Sequence, residues 1–114
     1  MSTNAEHTVV YRVTVRGQFK GLTEAAQALL AAGLADHDFL KSAFTAEGTF
    51  TYDANIRFFN LRYEIRATST GVSPADVALD EAALFLSTLR LSHGPLRAAV
   101  MDMSAMTDRA NGPT

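Results

Sequence analysis

Residues 9–19 have the sequence VVYRVTVRGQF, in which apolar and polar side chains alternate. Successive side chains of a β-strand point to opposite faces of the sheet, so Tyr11, Val13 and Val15 share one face and the intervening residues share the other. The pattern predicts a strand with one buried apolar face and one polar face that carries Arg12 and Arg16.

Five further elements follow along the chain. Thr23 is predicted to cap a first helix that ends near Gly33. Ser73 and Pro74 are predicted to begin a second helix, which Gly94 and the following proline would end. The predicted bounds are 9–19, 49–52, 58–66 and 96–101 for the strands, and 23–33 and 73–94 for the helices, with a short turn at 36–42. This order predicts an α+β fold of the ferredoxin-like βαββαβ type, a two-layer sandwich with a four-stranded antiparallel sheet and two helices on one face.

The size and composition indicate a single small domain. The chain has 114 residues, 47% of them apolar, and a formal net charge of −2. We expect one domain at 8–106, flexible ends at 1–7 and 107–114, and a cytoplasmic protein, because there is neither a secretory signal nor an apolar run long enough to cross a membrane. The small negative charge gives no general attraction to nucleic acid or to an anionic membrane.

Several kinds of catalytic site are excluded by the residues. There is no cysteine, no histidine pair with zinc-site spacing, no G-x-S-x-G motif and no glycine-rich phosphate loop. His37, between Asp36 and Asp38, is predicted to cap a break between two short helices, and His93 to lie in the last turn of the second helix. We therefore expect neither a metal nor a cofactor.

The sheet face opposite the helices is the predicted working surface. With the strand order usual for this fold, 4-1-3-2, half of the ten Lys and Arg residues fall on it. Nucleic acid is an unlikely partner, because single-strand platforms stack bases on outward aromatics of the central strands and only Phe58, at an edge, points outward here. The alternative is a solvated or oligomer-buried face whose arginines pair with Glu64. The residues expected to be exposed are Arg12, Thr14, Arg16, Arg62, Glu64, Arg66, Arg97, Ala99 and Met101.

Asp102 has two interpretations. By the alternation of the last strand it follows Val100 on the core side, where a carboxylate with a raised pKa could act as a general acid or base. Alternatively the strand has already ended, and Asp102 forms an Asx turn with Ser104. The residues alone leave both open.

The motifs YRVTVRG-x-F from residue 11, HD-x-L-x-x-AFT-x-EGT-x-TYD from residue 37 and DMS from residue 102 resemble a family of small actinobacterial proteins of unknown function. The pattern is also similar to the thiopeptide-maturation enzymes of the nosiheptide type, which convert a C-terminal enamide to a primary amide. That resemblance implies a positioned carboxylate near the last strand, and Asp102 is the nearest candidate, with no second carboxylate beside it.

The sequence therefore leaves two hypotheses for the function. The first is a cofactor-free natural-product tailoring enzyme that performs acid–base chemistry on a small molecule or modified peptide, and the second is a non-catalytic oligomeric ligand-binding or accessory protein. In either case we expect a homo-oligomer that associates through the sheet face or an edge strand. The candidate catalytic residues are Asp102, Glu64 and Tyr63, and the candidate substrate-binding residues are Arg12, Arg62, Arg66 and Met101.

Overall fold

The computed structural model describes residues 8–37, 43–68 and 71–103. The predicted flexible ends, 1–7 and 107–114, lie outside these residues, as does most of the predicted turn at 36–42. The elements are β1 (Thr8–Gln18), α1 (Glu24–Ala32), β2 (Thr49–Tyr52), β3 (Phe58–Thr68), α2 (Pro74–Thr88) and β4 (Arg97–Asp102).

The strands form one antiparallel sheet in the order β2-β3-β1-β4, which confirms the predicted order. The two long strands, β1 and β3, are central and pair from Thr8 opposite Thr68 to Gln18 opposite Phe58. The short strands β2 and β4 are the edges. The α+β arrangement is that of a ferredoxin-like two-layer sandwich.

Both helices cover the same face of the sheet. Residues directly opposite each other on neighbouring strands share a face, and Val15, Leu61 and Phe50 form such a row. These residues belong to one buried cluster that also contains Leu30 of α1 and Leu86 of α2. The predicted alternation of β1 and β3 is confirmed, and neither α1 nor α2 packs on the opposite face.

The helix starts agree with the prediction. The Thr23 hydroxyl accepts a hydrogen bond from the Ala26 N–H at 3.0 Å, and the Ser73 hydroxyl accepts one from the Asp76 N–H at 3.4 Å. These caps satisfy main-chain donors that have no partner within the helix.

The predicted end of α2 is wrong. The helix ends at Thr88, well before Gly94, because Arg90 adopts a left-handed backbone (φ 57°) and the chain turns so that Leu91 enters the core, where it is 3% exposed. His93 is therefore not in a helix; it pairs with Phe19 in an isolated β-bridge.

The last half of β4 is not covered by the helices. Ala98 packs against the core, but Val100, predicted to point inward, is 44% exposed although it shares a face with Val13. β4 therefore presents exposed apolar groups on both faces, Val100 on one and Met101 on the other. None of the helices in the described parts of the chain is long and apolar enough to span a membrane.

Candidate ligand-binding site on the open sheet face

The sheet face opposite α1 and α2 carries a row of arginines along its strands. Across β3, β1 and β4, the rows on this face are Glu64–Arg12–Met101, Arg62–Thr14–Ala99 and Asn60–Arg16–Arg97, with Arg66 and Val10 beyond one end and Phe58 and Gln18 beyond the other. We call this surface the open face. Its predicted composition is correct, but its exposure is not uniform.

In one half of the open face, the ring of Phe44 lies over two of the arginines. The guanidinium carbons of Arg12 and Arg62 lie 5.3 and 5.2 Å from the centre of the Phe44 ring, within the range of a cation–π contact. Phe44 is held there by its neighbour Thr45, whose carbonyl accepts a hydrogen bond from the Glu64 N–H at 2.8 Å.

Two residues of the open face are less exposed than predicted. Thr14, predicted to be exposed, is only 8% exposed because it is a short side chain on a central strand between longer neighbours. Arg12 keeps 41% of its side chain exposed, and its Nε lies 3.8 Å from a carboxylate oxygen of Glu64. That distance is an ion pair but is too long for a hydrogen bond.

The other half of the open face contains a groove of about 540 Å³. Arg16 and Arg97, which are directly opposite each other on β1 and β4, both line it and are both exposed. Phe58, 53% exposed, lines the same groove with Gln18 and Pro95. The groove thus combines two guanidinium groups, an aromatic ring and a side-chain amide.

The described residues provide no acidic partner for the two arginines of the groove. In the described residues no Asp or Glu side chain lies within 4.0 Å of Arg16 or Arg97, and the residue opposite Arg16 on β3 is the uncharged Asn60. Directly opposed like charges on a sheet are destabilising. An anion bound between them would relieve this repulsion.

The candidate site residues predicted from the sequence are divided between the two faces. Glu64, Arg12 and Met101 form one row of the open face, and Arg62 lies in the next row. Arg66 also lies on this face but is exposed near its end. Four of these residues lie on the Phe44 side of Thr14 and Arg62 lies directly opposite Thr14; none of the five lines the groove.

Asp102 faces the other way. It is opposite Tyr11 at the end of β4, on the face that the helices cover elsewhere, and it is exposed. The strand extends to Asp102, whereas Ser104, the other member of the predicted Asx turn, lies outside the described residues. Asp102 is therefore not in the buried, core-side environment that the acid–base interpretation expected.

Tyr63 is buried on the helix side. It is 3% exposed and lines a small cavity with Glu47 and Glu81. Burial, and secondarily the charge of Glu81, raise the pKa of Tyr63 to about 12, so the phenol stays protonated at neutral pH. Tyr63 and Glu64 are consecutive in a strand and therefore cannot meet one ligand on the same face.

The chain matches the model of a family of unknown function, DUF6204, over residues 1–113. The chain belongs to this family. A family without an assigned activity is what the sequence motifs indicated. No curated protein and no solved structure compared with the chain matches it.

The candidate groove of this DUF6204 domain contains residues that were not predicted from the sequence to bind a ligand. Arg16, Arg97 and Phe58 were predicted on the correct face. Whether they lie next to one another depends on the pairing offsets of β1 with β4 and with β3, which the sequence does not show. Phe44 lies outside any strand, so no alternation pattern pointed to it. Within the described residues no three His, Asp or Glu side chains converge as a metal ion would require.

Proposed function

We propose that this DUF6204 domain is a ligand-binding protein whose open-face groove binds a small organic anion with a planar apolar part. The observation that carries the proposal is the directly opposed pair Arg16 and Arg97, without an acidic partner in the described chain, beside the exposed ring of Phe58. Guanidinium groups bind carboxylates and phosphates through paired hydrogen bonds, and an aromatic ring offers a flat apolar contact.

The size of the groove limits the ligand. A volume of 540 Å³ lies within the usual range of small-molecule sites, about 300–1,000 Å³. An aromatic carboxylate would fit with its charged group between the arginines, its ring against Phe58 and a polar substituent near Gln18.

Catalysis is the second candidate, and Glu64 is the observation that favours it. Glu64 lies on the open face, one row beyond Arg62 and Thr14, and is 30% exposed in its ion pair with Arg12. A cofactor-free tailoring enzyme of the kind implied by the thiopeptide resemblance would protonate the enamide carbon and add water, which releases a primary amide and a keto acid. Such a step requires a carboxyl group that alternates between acid and base.

The binding proposal is tested by calorimetric titration with 2-naphthoate, and with 2-naphthamide as the uncharged control. We expect the carboxylate to bind and the amide to bind at least about tenfold more weakly, which corresponds to about 1.4 kcal/mol. Arg16→Gln and Arg97→Gln should each lower the affinity by about the same factor.

Arg90→Gln is the matched control, because it removes the same charge from an exposed arginine that does not line the groove. It should leave the affinity within about twofold. Equal binding of the acid and the amide, or equal losses in all three variants, would show that the groove is not an anion site.

The catalytic alternative is tested by incubation with a short peptide that ends in dehydroalanine, followed by mass spectrometry for the peptide amide. Amide formation that Glu64→Gln or Asp102→Asn reduces about a hundredfold, in a folded protein, would identify the carboxyl group that acts. Asp102→Asn should change the unfolding free energy by less than about 1 kcal/mol, since the residue is exposed.

A further inference from the structure

A second cavity lies on the opposite side of the molecule, between the two helices. It has a volume of about 350 Å³, and its walls are mostly apolar, formed by Leu29, Ala32, Phe85 and Leu89 with the ring of His37 at one side. Leu29 is 53% exposed and Leu89 is 38% exposed. The two leucines form the walls of this cleft instead of closing the core.

The polar groups of the cleft have fixed roles. The Nδ1 of His37 lies 2.8 Å from the main-chain oxygen of Phe50. A carbonyl oxygen can only accept, so Nδ1 carries the hydrogen, and the neutral ring has its lone pair on Nε2. Nε2 makes no hydrogen bond in the part of the chain that the structure describes.

Tyr52 is oriented in the same way. Its hydroxyl donates its only hydrogen to the carbonyl of Leu30, so its oxygen can only accept a further hydrogen bond. The Tyr52 ring stacks on His37, with centroids 5.4 Å apart and planes 25° apart. Both side chains that offer polar atoms to the cleft are therefore acceptors.

Gly33 leaves space beside the Tyr52 hydroxyl and the His37 ring. A Cβ at this position would lie 3.0 Å from the Tyr52 hydroxyl and 3.1 Å from Cδ2 of His37, the atom bonded to Nε2. The absent side chain keeps the acceptors accessible from the cleft, which Gly33 also lines.

We propose that the cleft between α1 and α2 is a second binding site, for a small neutral apolar molecule with one hydroxyl donor, of the substituted-phenol class. The apolar walls would contact the body of the ligand, and His37 Nε2 would accept its hydroxyl hydrogen. At the roughly 30 Å³ that a water molecule occupies, the volume holds about a dozen non-hydrogen atoms. This site is independent of the arginine groove, which lies on the other face of the sheet.

The test uses calorimetric titration of the whole protein with 4-ethylphenol, and with 4-ethylanisole, which lacks the donor. We expect the phenol to bind at least about tenfold more tightly, because the anisole leaves the histidine acceptor unpaired. His37→Phe retains a ring but removes the acceptor, so it should abolish the preference between the two probes. Equal affinity of the two probes for the wild-type protein, or the absence of binding by either at millimolar concentration, overturns the proposal.

A matched pair of variants locates the site. Ala32→Phe would place a ring in the cleft, whereas Ala31→Phe adds the same ring on an exposed position of the same helix that does not line it. Ala32→Phe should weaken phenol binding at least tenfold and Ala31→Phe should leave it within twofold, with circular dichroism confirming the fold of both. Similar affinities in the two variants would place the phenol elsewhere. Arg97→Gln should leave phenol binding unchanged, which separates this site from the anion groove.

Discussion

Replacing Arg97 by glutamine should stabilise the protein while it weakens anion binding about tenfold. Arg16 and Arg97 are directly opposite each other across β1 and β4, and in the described chain neither has an acidic partner. Cross-strand charge pairs contribute roughly 0.2–1 kcal/mol, and like charges have the unfavourable sign. Arg97→Gln removes the repulsion, so the unfolding free energy should rise by about 0.5 kcal/mol. For a domain of 114 residues that is a rise in Tm of about 2 °C.

The measurement is thermal and urea unfolding at two salt concentrations. The Debye length falls from about 30 Å at 0.01 M salt to about 8 Å at 0.15 M. The wild-type protein should therefore gain stability with salt, and the gap to Arg97→Gln should narrow. Added 2-naphthoate should raise the Tm of the wild-type protein and leave that of Arg97→Gln nearly unchanged, because a ligand stabilises only the state that binds it.

A double variant checks that the effect is repulsion between these two residues. Arg16→Gln should give a similar gain, and the double variant should give little more than either single change, because one substitution already removes the pair. A lower Tm for Arg97→Gln, or the same gain from the control Arg90→Gln, would refute the reasoning.

Three further predictions concern the fold and its association. Gly48→Ala should lower the unfolding free energy measured in urea by about 2–4 kcal/mol, because φ is +93° and the new Cβ would lie 2.3 Å from Cε1 of Tyr63. Gly21→Ala is the control: φ is +67° but the space around it is open, so the loss should be only about 1 kcal/mol. The Asp53 pKa lies below its ordinary value of 3.8; burial alone would raise it, but the N–H groups of Phe58 and Arg57, each 2.8 Å from Oδ1, lower it. The ionised Asp53 side chain should stabilise the fold by about 1 kcal/mol above pH 3.8, and this stabilisation should be lost as the pH falls through the lower folded pKa. The unfolding free energies of Asp53→Ala and the wild-type protein, measured in urea, should therefore differ at pH 7 and become equal near pH 2. The protein should self-associate through the exposed edge of β4, and light scattering at micromolar concentration should show a dimer that Met101→Lys weakens; a wild-type protein that is only monomeric would contradict this.

Local sequence signals were sufficient to predict the order of helices and strands and to predict which residues share a face of the central strands. The alternation in β1 and β3 is continuous, and Thr23 and Ser73 cap helices where they were expected to. The end of α2 was missed because glycine and proline are strong helix terminators, yet here the burial of Leu91 turns the chain earlier. Tertiary burial outweighed the local signal.

The candidate site was only partly predictable for a different reason. Which residues lie on the open face follows from alternation alone, but which of them meet depends on the strand offsets, and these are set by packing. The offset of β4 places Arg97, and not Ala99, opposite Arg16. The position of Phe44 over Arg12 and Arg62 depends on a single β-bridge from Thr45 to Tyr63, for which the sequence has no periodic signal.

The two halves of the open face differ in the partners that the described residues provide for their arginines. Arg12 has Glu64 and the ring of Phe44, and Arg62 shares that ring, so this half is internally compensated. Arg16 and Arg97 face each other across two strands beside an exposed aromatic ring, and no described acid approaches them. A bound anion would restore the stability that this repulsion removes, which supports the proposed binding function. This contrast is the reason for placing the ligand at the Phe58 end of the face and not beside Glu64. The same repulsion between Arg16 and Arg97 should account for both the higher stability of Arg97→Gln and its weaker naphthoate binding.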